Sequence, residues 1–303
     1  MSEKFKSGFV ALIGRPNVGK STFINCVLGQ KISIISNKPQ TTRNNIRGIY
    51  TTPKEQIIFI DTPGIHKPQN ELGNFMNKES FSSLSDVDLI LLLIDGTDDY
   101  GKGDEYVLEA LSKITTPIFL IVNKIDLIKD KNRLLESIVK FQNKFAFKET
   151  FYISALSGEN VDLLLQNITD NLEEGVKYYP EDQISDHPEV FVIGEIIREK
   201  ILTLTEQEIP HSVAVVVEEM KADEENPELL NIHATIYVER ASQKKIIIGS
   251  QGSMIKKIGT YARKDILKIV GQKVYLELWV KVEEKWRDKR LLLKRLGYYL
   301  DDK

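Results

Sequence analysis

The octet GRPNVGKS, Gly14 to Ser21, constrains this chain more than any other stretch, because it matches the pattern G-x-x-x-x-G-K-[S/T]. Its flanks give that match physical meaning. The apolar run GFVALIG ends on it, and a helical pattern begins at Lys20. A strand, glycine loop and helix in this order aim backbone N–H groups at one phosphate beside a helix N-terminus. Here those groups belong to Asn17, Val18, Gly19, Lys20, Ser21 and Thr22. The Lys20 ammonium would neutralise the β- and γ-phosphates of a nucleoside triphosphate, and the Ser21 hydroxyl would coordinate Mg2+.

Four further apolar runs, QIIFIDTPG, VDLILLLIDG, PIFLIVNKID and ETFYISALSG, alternate with helical patterns near residues 103–113, 131–145 and 159–173. Near-continuous Val, Ile and Leu means strands covered on both faces, hence an α/β fold with a mostly parallel sheet and helices on either side. RNNIRGIYTT reads as an added antiparallel edge strand. EEGVKYYPEDQISDHP has prolines, acids and no apolar period, so it reads as a linker over 175–188 between domains 1–174 and 189–303. The second domain reads as helix 190–205, strands 212–221 and 229–240, a short helix, a glycine turn, helix 253–270, strand 272–282 and a packing helix 283–298 with Trp286, Leu291 and Leu292 inward.

The base specificity is written in two other segments. NKID, Asn123 to Asp126, follows a buried strand, and a carboxylate at Asp126 accepts from the N1–H and N2 amino groups of guanine. Adenine offers neither donor, so an unpaired carboxylate would penalise it strongly. Asn123 would tether the loop and the base, and the Lys124 stem would lie along the ring. In SAL, Ser154 to Leu156, the Ala155 N–H is placed for guanine O6. DTPG supplies Asp61, for Mg2+ through water, and Gly64, whose N–H would meet the γ-phosphate. In PQTTR, Thr42 rather than Thr41 is expected to reach Mg2+ and the γ-phosphate. Lys20, Thr42, Asn17 and Gly64 are the groups expected to act on the reaction itself.

A second glycine loop, Gly249-Ser250-Gln251-Gly252, has no lysine–serine pair after it, so a second nucleotide is not its ligand. It opens an amphipathic helix with Ile255, Ile258, Ala262 and Ile266 on one side. The order α-β-β-α-α-β around it is that of a type II KH domain, an α+β fold whose G-x-x-G loop clamps about four nucleotides of a single strand. Ser253 and Lys256 are further contact candidates, with Lys244, Lys245 and Lys257 as phosphate partners. The charge distribution agrees. The net −3 conceals a stretch at 241–303 with 16 bases against 7 acids, which suits a polyanion.

GRPNVGKSTFINCVLGQKISIIS, PQTTR, DTPGIHKP and IIIGSQGSMIKKIG together resemble the Era family of bacterial ribosome-assembly GTPases, nearly end to end. The resemblance implies slow, Mg2+-dependent hydrolysis of GTP to GDP. It also implies binding of the 3′ region of 16S rRNA and a role in maturation of the 30S subunit. Related GTPases with Asn17's place in GxPNxGKS use K+ where others use an arginine finger, so K+ stimulation is implied too. Ile65 stands where small GTPases place a water-orienting glutamine, a hydrophobic replacement shared with this family. GTP would order residues 33–45 and 64–80 and alter how the domains face each other. The rival from another class is a non-catalytic RNA-binding scaffold that keeps GTP as a structural ligand. A tRNA-modification GTPase fits less well, because the catalytic domain or cysteine chemistry of that class is not found here.

The lone Cys26 excludes an internal disulfide and fits a reducing cytoplasm. MSEKFKSGFVALIG lacks the apolar core of a secretory signal, and VDLILLLID is far short of the roughly 20 residues a span requires. A cytoplasmic monomer is expected. The resemblance adds peripheral association with the inner face of the membrane, for which the sequence offers no amphipathic anchor. His66, His187, His211 and His233 have no metal-ligand spacing; His66 alone lies in a switch segment.

Overall fold

The structure, a computed structural model, describes residues 4–38, 40–206 and 209–298. Pro39 of the PQTTR segment lies outside them. The chain forms two compact units that divide between Asp186 and His187, except that Ser36–Lys38 and Asn70–Leu72 group with the second. In the first, the apolar runs become β1 (Lys6–Ile13), β3 (Glu55–Asp61), β4 (Leu89–Asp95), β5 (Ile118–Asn123) and β6 (Glu149–Tyr152). With β2 (Ile46–Thr51) they form one sheet in the order β2-β3-β1-β4-β5-β6. All pairings are parallel except β2 with β3, where Ile46 lies opposite Asp61 at the expected antiparallel edge.

The central strands are apolar throughout because both faces are covered; Val10 to Ile13, Ile57 to Phe59 and Phe119 to Val122 are fully enclosed. Each such Val, Ile, Leu or Phe contributes about 1.5–3 kcal/mol by leaving water. The covering helices are α1 (Lys20–Leu28), α2 (Glu71–Ser82), α3 (Lys102–Leu111), α4 (Lys131–Lys144) and α5 (Val161–Asp170). α2 falls in a segment read from sequence only as a switch. Leu72, Phe75 and Met76 nonetheless bury one face of it at helical spacing.

The proline-rich stretch expected to be a linker is bound down as far as Asp186. Buried Gln56 accepts from the Tyr178 and Tyr179 N–H groups at 2.7 and 3.0 Å and donates to the Tyr179 carbonyl at 2.9 Å. Ile49 N–H then donates to the Ile184 carbonyl, and Arg47 pairs with Asp186 at 3.0 Å.

The second unit contains α6 (Glu189–Leu204), a one-turn α7 (Ile209–Ser212), β7 (Ala214–Ala222), β8 (Leu229–Val238), α8 (Ala241–Ile248), α9 (Ser253–Val270), β9 (Lys273–Val282) and α10 (Arg290–Arg295). Its sheet runs β7-β8-β9, antiparallel then parallel. This is the expected α-β-β-α-α-β order with a short added turn.

The expected helix over 283–298 is not continuous. Lys285 is left-handed at φ 54°, Trp286–Asp288 form one tight 3-10 turn, and α10 starts only after an extended Lys289. Trp286 is fully buried as expected and donates its indole N–H to the Ser212 carbonyl at 2.9 Å. Leu291, expected inward, is instead 85% exposed and Leu292 only half-buried, and Leu293, Leu296 and Tyr298 bury the inner side. The break after Trp286 rotates the helical face by enough to exchange those positions.

Candidate functional site

The phosphate loop runs from the end of β1 to the start of α1. Gly14 is obligatory, because a Cβ there would lie 2.3 Å from the Leu93 carbonyl oxygen. Gly19, at φ 100°, leads directly into α1. Asn17 is left-handed at φ 65°. Lys20 is buried and donates to the carbonyls of Gly14 and Arg15 at 3.3 and 3.0 Å, so it occupies the cradle a phosphate would share. Burial, only partly offset by Asp61, lowers its pKa to about 8.

That shift has a sign. Phosphate requires the charged amine, so nucleotide binding between pH 8 and 10.5 must draw a proton onto Lys20. Calorimetry at pH 8.5 in buffers of different ionisation heat is expected to show uptake approaching one proton per nucleotide. A Lys20→Arg variant that binds should show none. In the nucleotide-free chain the same group makes stability rise with pH over that window, since the unfolded chain holds the proton that the folded one has lost.

The metal-site residues converge. Ser21 donates to Asp61 Oδ2 at 2.7 Å, and Thr42 Oγ1 lies 3.0 Å from Ser21 Oγ. Thr42 and Thr41 are both buried, and it is Thr42 that meets Ser21. Asp61 is fully enclosed, and burial raises its pKa against the pull of Lys20, Ser21 and Ser33. Its Oδ1 has no hydrogen-bond partner among the described residues. A buried carboxylate oxygen left unpaired beside two hydroxyls suits a hydrated divalent cation, and Mg2+ is the hard, oxygen-seeking ion for such a set. The residues therefore fit the metal.

Sequence reasoning missed Ser33. Its hydroxyl is buried and donates to the same Asp61 Oδ2 at 2.7 Å. Asn25 on α1 holds it there: its Oδ1 accepts from the Ile32 and Ser33 N–H groups at 3.0 Å, and its Nδ2 donates to the Ser33 carbonyl at 2.7 Å. Two hydroxyl donors thus occupy Oδ2 and leave Oδ1 unpaired. The expected result of Ser33→Ala is a loss of about tenfold in Mg2+ affinity, by analogy with other outer-shell partners. It is read as faster GDP release at limiting Mg2+, with Ser33→Thr retaining the unaltered behaviour.

The segment after β3 packs tightly on the phosphate loop. A Cβ at Gly64 would fall 2.7 Å from the Pro16 backbone, and Ile65 N–H donates to the Gly14 carbonyl at 3.0 Å. The Ile65 side chain is buried in the apolar cluster with Ile13, Ile94 and Val107. His66 links the two switch segments: its Nδ1 lies 2.9 Å from the Gly64 carbonyl and its Nε2 2.9 Å from Gln40 Nε2. Those partners assign the proton to Nδ1, leaving Nε2 to accept from Gln40.

On the base side, Asn123 is enclosed and ties three segments together. It donates to the Val18 carbonyl at 2.8 Å and accepts from the Ala155 N–H at 2.9 Å. The Ala155 N–H expected at guanine O6 is therefore used by Asn123 here. Lys124 is left-handed and bonds Asp95 at the end of β4, an acid that sequence reasoning did not single out. Gly19, Thr22, Asn123, Lys124, Asp126, Ala155 and Leu156 line one cleft, with the Asp126 carboxylate exposed and Ser154 buried just behind.

In the second unit, Gly249 ends α8 at φ 73° and Gly252, at φ 78°, precedes α9. A Cβ at Gly249 would meet Met254 at 2.7 Å, whereas Gly252 has open space and needs glycine only for its backbone. Gln251 is left-handed at φ 50°. Ser250, Gln251 and Ser253 are exposed, as are Lys245, Lys256 and Lys257; Lys244 is half-buried. Ile258, Ala262 and Ile266 bury the inner side of α9.

These two sites define a class: a P-loop GTPase domain followed by a KH domain. A family model described as "50S ribosome-binding GTPase" matches residues 9–124, and one described as "KH domain" matches 208–287. The chain is similar to a variant of Aquifex aeolicus Era bound to GDP·AlF4−, at 41% identity and TM-score 0.93 over 98% of this chain and 100% of the other. It is likewise similar to Era in complex with MgGDPNP and nucleotides 1506–1542 of 16S ribosomal RNA, at 42% identity, TM-score 0.94 and the same coverage. The chain belongs to the Era family.

Proposed function

We propose that this chain is a guanine-nucleotide switch that hydrolyses GTP and holds the 3′ region of 16S rRNA on its KH loop during assembly of the 30S subunit. The observation that carries the reading is Asn123, which ties the phosphate loop at Val18 to the base loop at Ala155 in a single hydrogen-bonded unit. Lys20 neutralises the charge that develops as the bond from the γ-phosphorus to the bridging oxygen breaks. Gly64 N–H and Thr42 hold the γ-phosphoryl group between the two switch segments. Ser21, Thr42 and Asp61 would hold Mg2+, which supplies the charge that neutralises the β- and γ-oxygens.

Ile65 faces the core, so it positions no water. Slow intrinsic turnover follows. Asn17 would help hold a monovalent cation beside the phosphates, where it would supply the positive charge that an arginine finger brings in other GTPases. Hydrolysis should be faster in KCl than in NaCl at equal ionic strength. Equal rates, or an Asn17→Ala variant that keeps the preference, would remove the cation from the account.

The chain acts as a cytoplasmic monomer on the small subunit. Among the described residues no helix is long and apolar enough to cross a membrane, and association with the inner membrane face would be peripheral. Single-turnover hydrolysis with and without a 3′-end RNA separates this reading from an RNA-binding scaffold that only stores GTP. Phosphate release on the time scale of minutes supports the switch, whereas stable bound GTP supports the scaffold.

A further inference from the structure

We propose that the outer face of the KH unit's sheet is a second platform for single-stranded RNA, where bases stack on Trp279 and Tyr275. This rests on the reading that the Gly249–Gly252 loop holds RNA. Alternation along β9 puts Lys273, Tyr275, Glu277, Trp279 and Lys281 on one face. The other face is turned to the helices, with Leu278 3.6 Å from where a Cβ at Gly259 of α9 would lie. Trp279 is 63% and Tyr275 52% exposed. At four residues' separation their rings stand ~13 Å apart, far enough for separate bases.

What surrounds the rings decides the kind of partner. The β8–β9 register sets Asn231 beside Tyr275, His233 beside Glu277 and Thr235 beside Trp279. Each aromatic thus has a polar neighbour on β8, with Val216 of β7 the apolar residue beyond Thr235, and the row is more polar than the continuous apolar centre that a protein partner would seal. Stacking on such rings, with polar groups for base edges and amines for phosphates, is how single strands are held. The acids on this face already have partners: Glu277 lies 2.8 Å from His233 Nδ1 and Glu219 pairs with Lys221 at 3.0 Å. Lys273 and Lys281 stand at the two ends of the row. β9 is also an edge strand packed against α9, the helix that begins at the glycine loop. A strand longer than the roughly four nucleotides the loop clamps can continue over that edge onto the outer face.

The chain itself provides the probe. It has two tryptophans, and Trp286 is fully buried, so a change in exposed indole emission reports Trp279. An unstructured twelve-nucleotide RNA added to the full chain should quench that emission. Trp279→Ala and Tyr275→Ala should each weaken the twelve-mer by about five- to a hundredfold, the range for loss of one stacked base. Trp279→Phe should retain most of the affinity. A five-nucleotide RNA should bind these variants and the unaltered chain alike. Unchanged emission together with unchanged twelve-mer affinity in both alanine variants overturns the proposal. So does an emission change that follows protein concentration without RNA, which would assign the face to a second copy. Failure of the KH reading looks different: the unaltered chain would then bind neither RNA.

Discussion

Asp126→Asn should lower GTP affinity by about a hundredfold or more and create a preference for XTP. The carboxylate accepts from two guanine donors, and each charge-assisted bond of this kind contributes about 1.5–3 kcal/mol. An amide can accept only one of them and sets its own NH2 against the other. Xanthine carries an oxygen where guanine carries the amino group, so the amide that repels GTP suits XTP. Because the Asp126 side chain is exposed, the substitution should not disturb folding. Titration with fluorescent GTP and XTP checks both halves. GTP affinity within threefold of the unaltered chain would place the base elsewhere.

The second large effect belongs to the other unit. Carboxylates at Ser250 and Gln251 should weaken single-stranded RNA by about a hundredfold, because they would face phosphates in a loop that offers little but backbone N–H groups. Both positions are exposed, and aspartate tolerates the left-handed backbone of Gln251 better than most residues do. Folding and RNA-free GTP hydrolysis should therefore be retained. Anisotropy of a labelled RNA at fixed salt is the measurement. Retention of full affinity by the double variant would show that RNA passes somewhere else.

The sequence was legible where backbone geometry dictates residue type. Gly14 abuts the Leu93 carbonyl, Gly64 abuts Pro16 and Gly249 abuts Met254, so these three motif glycines are imposed by a close approach, and Gly252 by its left-handed backbone. Buried strands also announced themselves through unbroken apolar runs. Ser33 was not legible. Its value comes from a hydrogen bond to Asp61, 28 residues away, and a loop serine carries no period that would reveal it. The same holds for Gln56, whose grip on Tyr178 and Tyr179 turns an acidic, proline-bearing stretch into an ordered strap. In the last segment an apolar pattern suggested one helix, but the left-handed Lys285 and extended Lys289 broke it and exchanged Leu291 for Leu293 on the inner side.

The central claim is that the nucleotide held by one unit governs the RNA held by the other, and one titration bears on it most directly. A twelve-nucleotide RNA is added to the chain loaded with a non-hydrolysable GTP analogue and, separately, with GDP. A coupled switch predicts affinities that differ by about fivefold or more, tighter with the analogue. Identical affinities in the two states would contradict it and leave two ligands that share a chain without informing each other.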